Sequence, residues 1–74
     1  MDIRIKVGNR IRELRTQKNI SQETLANIAE IDRTYMTSVE NGKRNISIIN
    51  LEKIINALGQ SYDSFFNQKN FKDE

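Results

Sequence analysis

Apolar residues recur along the chain three and four positions apart, which is the spacing of amphipathic helices and not of strands. The first predicted helix carries an apolar stripe of Ile3, Val7, Ile11 and Leu14. Four later segments each follow a residue whose side-chain oxygen suits a helix N-cap: Ser21, Asp32, Ser47 and Ser61. The pattern predicts five helices, over about 4–18, 22–29, 33–41 and 48–58, and from residue 61 through the Phe65–Phe66 pair.

Three of the predicted helix starts have a second signal, an apolar pair that spans the cap. The pairs are Ile20 with Leu25, Ile31 with Met36, and Ile46 with Leu51. Such a hydrophobic staple fixes the angle at which the chain enters a helix. Gly42 and Gly59 suit the left-handed residue that follows a helix C-terminus. Beyond the first helix, the residues expected to face the core are Leu25, Ile28, Ala29, Met36, Val39, Leu51, Ile54, Ile55 and Leu58.

Composition narrows the classes of function. The 74 residues include no Cys and no His, which excludes disulfides, sulfur-ligated zinc and the commonest general base. No apolar run exceeds two residues, so we expect no membrane span and no secretory signal. The sequence predicts one small cytoplasmic domain over residues 1–74, ending in a polar tail at about 67–74. We expect that it is not an enzyme and that it needs no metal, cofactor or small-molecule ligand.

Charge is distributed unevenly along the chain, although the net charge is only +2. Residues 1–18 hold six Lys and Arg against two acidic residues, and residues 41–56 hold three against one. Residues 19–40 have a balance of −3. Clustered positive charge suits a polyanionic partner such as nucleic acid. The alternative is that these charges only solvate helix faces.

The central stretch of the chain is similar to a known family. SQETLANIAEIDRTYMTSVENGKRNISIINLEKIINALG, residues 21–59, resembles the DNA-binding domains of the lambda repressor and Cro-like (Xre) helix-turn-helix transcriptional regulators. With the preceding IRELRTQKNI, the resemblance covers about residues 7–66. Residues 31–54, which include Asp-Arg-Thr-Tyr, look closest to the controller proteins of restriction–modification systems. Glu30 stands at a turn position where that family usually has Gly, so we expect Glu30 to adopt a left-handed conformation.

The resemblance implies an all-α, compact five-helix, lambda-repressor-like DNA-binding domain with a helix-turn-helix motif over about 21–41. On the third predicted helix, Thr34, Thr37, Ser38 and Asn41 form a polar stripe opposite the apolar side, with Arg33 at its start. Short side chains let a helix approach base edges, and the first residues of a recognition helix reach the bases. Arg33 has the donors for guanine O6 and N7, and threonine methyls suit the thymine methyl. The stripe favours base readout over an ordinary solvated face.

Residues beside this stripe are expected to add DNA contacts. The resemblance implies that Gln22 binds a DNA phosphate and supports the base-contacting residue opposite it on the third helix. The N-terminus of a helix also favours binding of an anion such as phosphate. Tyr35 either tucks against the core or touches DNA, and we favour DNA contact, as the controller resemblance implies. Lys43 and Arg44 follow the third helix where the duplex backbone would pass. The alternative for Arg44 is a solvated loop charge.

Two further residue sets are expected to shape the assembly. Tyr62, Phe65 and Phe66 concentrate aromatic side chains in one short helix, which predicts a dimer interface there, although one of the adjacent Phe residues is expected to serve the core. The family resemblance also implies a salt bridge between Arg15 and Glu40 on the side of the third helix that faces away from the DNA. We expect that pair to be at least partly buried; the alternative is two independent surface charges.

The sequence thus predicts a homodimeric transcriptional regulator that reads an inverted-repeat operator in double-stranded DNA with two copies of the third helix. The controller resemblance implies control of its own promoter and of a linked restriction endonuclease gene. One alternative is a repressor of a phage or mobile element. Another is an antitoxin-like protein-interaction module, against which the roughly eight residues after the fifth helix count.

Overall fold

The structure, a computed structural model, describes residues 1–72. Its elements in chain order are α1 (Ile3–Gln17), α2 (Gln22–Ala29), α3 (Arg33–Glu40), α4 (Ile48–Ala57), α5 (Tyr62–Phe66) and a short 3₁₀ helix (Lys69–Phe71). No strand occurs within residues 1–72. The five predicted helices are confirmed, with their predicted bounds met to within one residue. Residues 73 and 74 of the predicted tail lie outside the described residues.

Side-chain caps begin the helices as the sequence predicts. In four of them a side-chain oxygen accepts a bond from the backbone amide three residues later: Ser21, Asp32, Ser47 and Ser61. α1 has a further cap, since the Asp2 carboxylate accepts from the Arg4 amide. Glu30 ends α2 in the left-handed region, at φ 58° and ψ 47°. This confirms the conformation expected for a residue that replaces glycine at the turn.

The core draws buried side chains from all five helices: Val7, Ile11, Leu14, Leu25, Ala26, Ala29, Met36, Val39, Ile54, Ile55, Leu58 and Phe65. Two residues predicted to face inward are wrong, since Ile3 is 59% and Ile28 is 56% exposed. Ile3 begins α1, one turn before Val7, and so lies beyond the core. In α2, Ala26 takes the inward position beside Leu25, and this rotation of the helix turns Ile28 outward.

The segment predicted as a polar tail contributes an unexpected apolar contact. Phe71 packs against the core from the short 3₁₀ helix. Its ring centroid lies 5.1 Å from that of Phe66 and 6.2 Å from that of Phe65. A single aromatic residue among polar neighbours carries no periodic signal, so the hydrophobic pattern did not reveal it.

α1 and α3 come very close together at Gly8. A Cβ added there would lie 2.5 Å from the carbonyl oxygen of Val39 and 2.7 Å from that of Glu40. Glycine is therefore required by the close approach of the two backbones. This contact presses the end of α3 against α1 and helps to set the direction of the helix that carries the polar stripe.

Candidate nucleic-acid interface

α3 turns one side toward the core and its predicted polar stripe away from it. We call this stripe, which is expected to contact DNA bases, the reading stripe: Arg33, Thr34, Thr37, Ser38 and Asn41. Met36, Val39 and Glu40 are buried. The residues of the stripe are accessible to different degrees: Arg33, Thr34 and Asn41 are exposed, while Thr37 and Ser38 are half-buried. The cap residue Asp32 uses its carboxylate on the Tyr35 amide, at 3.1 Å, and so serves the start of this helix.

A buried ion pair stands behind α3. Arg15 Nε lies 2.7 Å from Glu40 Oε2, and Arg15 Nη2 lies 3.0 Å from Oε1, so the guanidinium holds both carboxylate oxygens. The Glu40 side chain is fully buried and that of Arg15 is 14% exposed. Arg15 Nη1 also donates to the Ile20 carbonyl at 2.9 Å, which ties the segment before α2 to the pair. The ion pair implied by the family resemblance is present.

Gln22 connects this ion pair to the reading stripe. Its Nε2 donates to Glu40 Oε1 at 3.0 Å, and its Oε1 accepts from the Thr37 hydroxyl at 2.9 Å. The side chain therefore braces α3 from the first turn of α2. The phosphate contact expected of Gln22 stays a prediction.

Arg12 holds the C-terminal end of α3, a role that was not predicted from the sequence. Its Nη2 donates to Asn41 Oδ1 at 3.1 Å and to the Glu40 carbonyl at 3.3 Å, and its Nε lies 3.5 Å from Glu40 Oε1. The Arg12 side chain is 46% exposed, so it adds positive charge beside Asn41. The only sequence signal was its place three residues before Arg15.

Tyr35 and Arg44 contact each other where α3 meets the following loop. The Tyr35 ring is half-buried and packs against the core. The Arg44 guanidinium carbon lies 5.1 Å from the ring centroid, a cation–π arrangement. Arg44 is thus positioned by an aromatic ring, and Lys43 beside it is exposed. DNA contact by Tyr35, Lys43 and Arg44 stays a prediction.

The positive charge concentrated in residues 1–18 does not all belong to one DNA-facing surface. Arg10 donates to the carbonyls of Phe65 at 2.8 Å and Ser64 at 2.7 Å, near the end of α5. Arg4 pairs with Asp2 at 2.7 Å, at the other end of α1. Arg10, like Arg15, therefore holds helices together, whereas Arg4 forms only a local, exposed pair. Four exposed cations lie on or next to α3: Arg12, Arg33, Lys43 and Arg44.

The three residues predicted for the dimer interface separate in the structure. Phe65 is fully buried, which confirms that one of the two adjacent Phe residues serves the core, and its assignment to the interface is wrong. Neighbouring positions on a helix point about 100° apart, which leaves Phe66 37% exposed and Tyr62 54% exposed. Ile48 and Ile49, which were not predicted to join this interface, are 83% and 62% exposed and line the same shallow groove as Tyr62 and Phe66.

Comparison with known proteins identifies the family. A helix-turn-helix family model matches residues 11–65. Control protein C.MunI of Mycoplasma sp is 48% identical over 66 residues, which cover 88% of this chain and 89% of that protein. The crystal structure of the restriction–modification controller protein C.AhdI from Aeromonas hydrophila matches with a TM-score of 0.81 and 46% identity, covering 85% of this chain and 96% of that one. The chain belongs to the helix-turn-helix family of restriction–modification controller proteins.

A second solved structure is also similar to this controller protein. The controller protein C.Esp1396I was crystallised as a tetramer in complex with its natural 35 base-pair operator. It matches with a TM-score of 0.86 and 36% identity, covering 90% of this chain and 88% of that one. The predicted all-α fold and the predicted family of transcriptional regulators are confirmed.

Within residues 1–72, three side chains of this controller protein have shifted pKa values, and all lie away from the reading stripe: Asp2, Arg4 and Tyr62. The Asp2 carboxylate, bonded to Arg4, raises the pKa of that guanidinium. The Tyr62 hydroxyl donates to Glu52 Oε2 at 2.7 Å, and this bond raises the pKa of Tyr62. Hydrogen bonds from the Arg4 side chain and amide lower the pKa of Asp2 to about 2. Across residues 1–72, no group of acidic side chains is arranged to hold a metal ion. No helix in that part of the chain combines the length and hydropathy of a membrane span.

Proposed function

We propose that the protein is a non-catalytic, homodimeric transcriptional regulator that binds an inverted-repeat operator in double-stranded DNA in the cytoplasm. One observation carries the proposal: α3 presents Arg33, Thr34, Thr37, Ser38 and Asn41 outward while a buried ion pair fixes the helix from behind. Short polar side chains on a rigidly held helix are what entry into a major groove requires.

Each group of residues has a distinct role in this proposal. Arg33, exposed at the start of α3, donates to the O6 and N7 of a guanine. The stripe behind it reads neighbouring base edges. Arg44, Lys43 and the side-chain amide nitrogen of Asn41 contact the phosphate backbone as the loop leaves α3, and Gln22 contacts it at the start of α2. Tyr35 meets the DNA with the part of its ring that the core leaves accessible.

The dimer forms through the apolar groove of α4 and α5. Ile48, Ile49, Tyr62 and Phe66 expose a contiguous apolar surface, which monomeric proteins rarely leave uncovered. A twofold interface places the same patch on both subunits. The two copies of α3 then read half-sites about 34–36 Å apart, one helical turn of DNA.

The likeness to controller proteins supports a role at two promoters, its own and that of a linked restriction endonuclease gene. This role is favoured over a phage or mobile-element repressor because C.MunI and C.AhdI, both controller proteins, match nearly the whole chain. An antitoxin-like role has no comparable support. Occupancy of the operator then follows protein concentration through dimerisation.

Selection from randomised duplex DNA, followed by titration of the selected site, tests the proposal. We expect an inverted repeat, and a log–log salt slope of about −5 for about six phosphate contacts per dimer. Arg33→Ala should cost about 1–3 kcal/mol at the selected site and relax the preference at one base pair. The matched control is Lys43→Ala, which should weaken selected and random DNA alike. A slope near zero, or no enriched repeat, would refute the proposal.

A further inference from the structure

The hydroxyl of Thr37 has its only proton committed inside the protein. The oxygen lies 2.9 Å from Gln22 Oε1 and 3.1 Å from the Arg33 carbonyl oxygen, and both of these partners are acceptors. A threonine hydroxyl has one proton and two lone pairs. Whichever partner takes the proton, Thr37 has only lone pairs left to offer on the outward side of α3.

The buried ion pair decides which end of the Gln22 amide faces Thr37. The Glu40 carboxylate, held by Arg15, presents only acceptor oxygens, and Oε1 lies 3.0 Å from Gln22 Nε2. A reversed amide would set its oxygen against that carboxylate, where the Glu40 side chain is fully buried and water cannot relieve the repulsion. The amide oxygen of Gln22 must therefore point to Thr37.

We infer that Thr37 reads the operator as a hydrogen-bond acceptor, opposite the exocyclic amino group of an adenine or a cytosine, and that Gln22 is the positioning residue that sets this polarity. The inference rests on the proposed function, since it requires α3 in the major groove. The amino groups N6 of adenine and N4 of cytosine are the hydrogen-bond donors of that groove. Guanine O6, purine N7 and thymine O4 are acceptors and gain nothing from Thr37.

The test combines a side-chain change with base analogues. Selection with the wild-type protein and with Thr37→Val first locates the base pair whose preference depends on the hydroxyl. At that pair the amino group is then deleted, with purine for adenine or 2-pyrimidinone for cytosine, or the purine N7 is removed with a 7-deaza base. Amino deletion should weaken the wild-type protein about three- to tenfold, the loss of one neutral hydrogen bond, and should not weaken Thr37→Val. The 7-deaza base should affect both proteins equally.

Gln22→Leu tests the positioning role. It removes the nearer of the two acceptors, so only the longer bond to the Arg33 carbonyl, at 3.1 Å, still opposes rotation of the hydroxyl toward the DNA. The penalty for amino deletion should then fall below about twofold, and a penalty for the 7-deaza base should appear. As a control, Thr34→Val removes the same hydroxyl three residues earlier, and Gln22→Leu should leave the analogue pattern that depends on Thr34 unchanged. A merely structural Gln22 would weaken binding to every analogue equally.

Distinct results overturn the inference and the proposed function. The inference alone fails if the wild-type protein selects an inverted repeat and Thr37→Val changes no base preference. It also fails if amino deletion weakens DNA binding by the wild-type protein and by Thr37→Val equally. The same holds if the 7-deaza base, and not amino deletion, is the change that weakens the wild-type protein more than Thr37→Val. A wild-type protein that enriches no repeat overturns the proposed function and the inference together.

Discussion

Removal of the Glu40 side chain is expected to destabilise the protein by about 3–5 kcal/mol, because the largely buried Arg15 guanidinium and the half-buried Gln22 amide lose their acceptor. That carboxylate is fully buried and accepts two bonds from Arg15 and one from Gln22. Glu40→Ala strands a guanidinium that is only 14% exposed. A chain of 74 residues has a total stability of about 4–11 kcal/mol, so the loss is a large part of it.

Urea and thermal denaturation followed by circular dichroism measure this loss. At about 4–8 °C per kcal/mol, the midpoint should fall by at least about 12 °C. The matched control is Arg4→Ala, which breaks an ion pair of the same 2.7 Å length whose side chains are 42% and 39% exposed. Because solvent screens that pair, its removal should not shift the midpoint measurably.

The double variant Arg15→Met with Glu40→Leu distinguishes the loss of the whole ion pair from the loss of one partner, which leaves the other charge unpaired. An apolar pair of similar size removes both charges together, so much of the stability lost in Glu40→Ala should return. Two single variants whose effects are additive and below about 1 kcal/mol would refute the reasoning, since that is the behaviour of independent surface charges.

Three other perturbations have defined outcomes. Phe65→Ala should cost about 3–5 kcal/mol in denaturation, whereas Phe66→Ala should stay folded and sediment as a monomer; a dimeric Phe66→Ala would place the interface elsewhere. Gly8→Ala should lower the thermal midpoint, because its methyl meets two α3 carbonyls, and an unchanged midpoint would show that α1 moves aside freely. Absorbance titration should give Tyr62 a pKa above its ordinary 10.0, and Glu52→Gln should lower it. The Tyr62–Glu52 hydrogen bond contributes to stability below pH 10, and this contribution is lost as the pH rises through the folded-state pKa of Tyr62. An unshifted pKa of Tyr62 would contradict this prediction.

The helices could be predicted because their signals are local. A cap such as Ser21 bonds an amide three residues away, and its staple joins Ile20 and Leu25, which are only five positions apart. The rotation of each helix about its axis was harder to predict, because it depends on the packing partner. The sequence pattern allows either Ala26 or Ile28 to face inward, and only the positions of the other helices choose Ala26.

The reading stripe could be predicted for a similar reason, since helical geometry converts spacing into a face. The contacts that fix the stripe could not be derived from spacing. Thr37 bonds Gln22 across 15 positions, and Arg12 bonds Asn41 across 29. Such pairs form only after the helices pack, and the Arg15–Glu40 pair was anticipated through family resemblance alone.

Glu40 links the stability of the fold to the hydrogen-bonding role of Thr37 in the reading stripe. A buried ion pair adds little net stability over an apolar pair, so stability alone does not explain a carboxylate at this position. The carboxylate also fixes the amide of Gln22 and, through it, the hydroxyl of Thr37. The double variant should therefore fold and retain salt-dependent binding through its exposed Arg and Lys residues, yet lose the amino-group preference at the base pair that Thr37 reads. Retention of that preference would show that the Arg33 carbonyl orients the hydroxyl by itself, and that Glu40 serves only the fold.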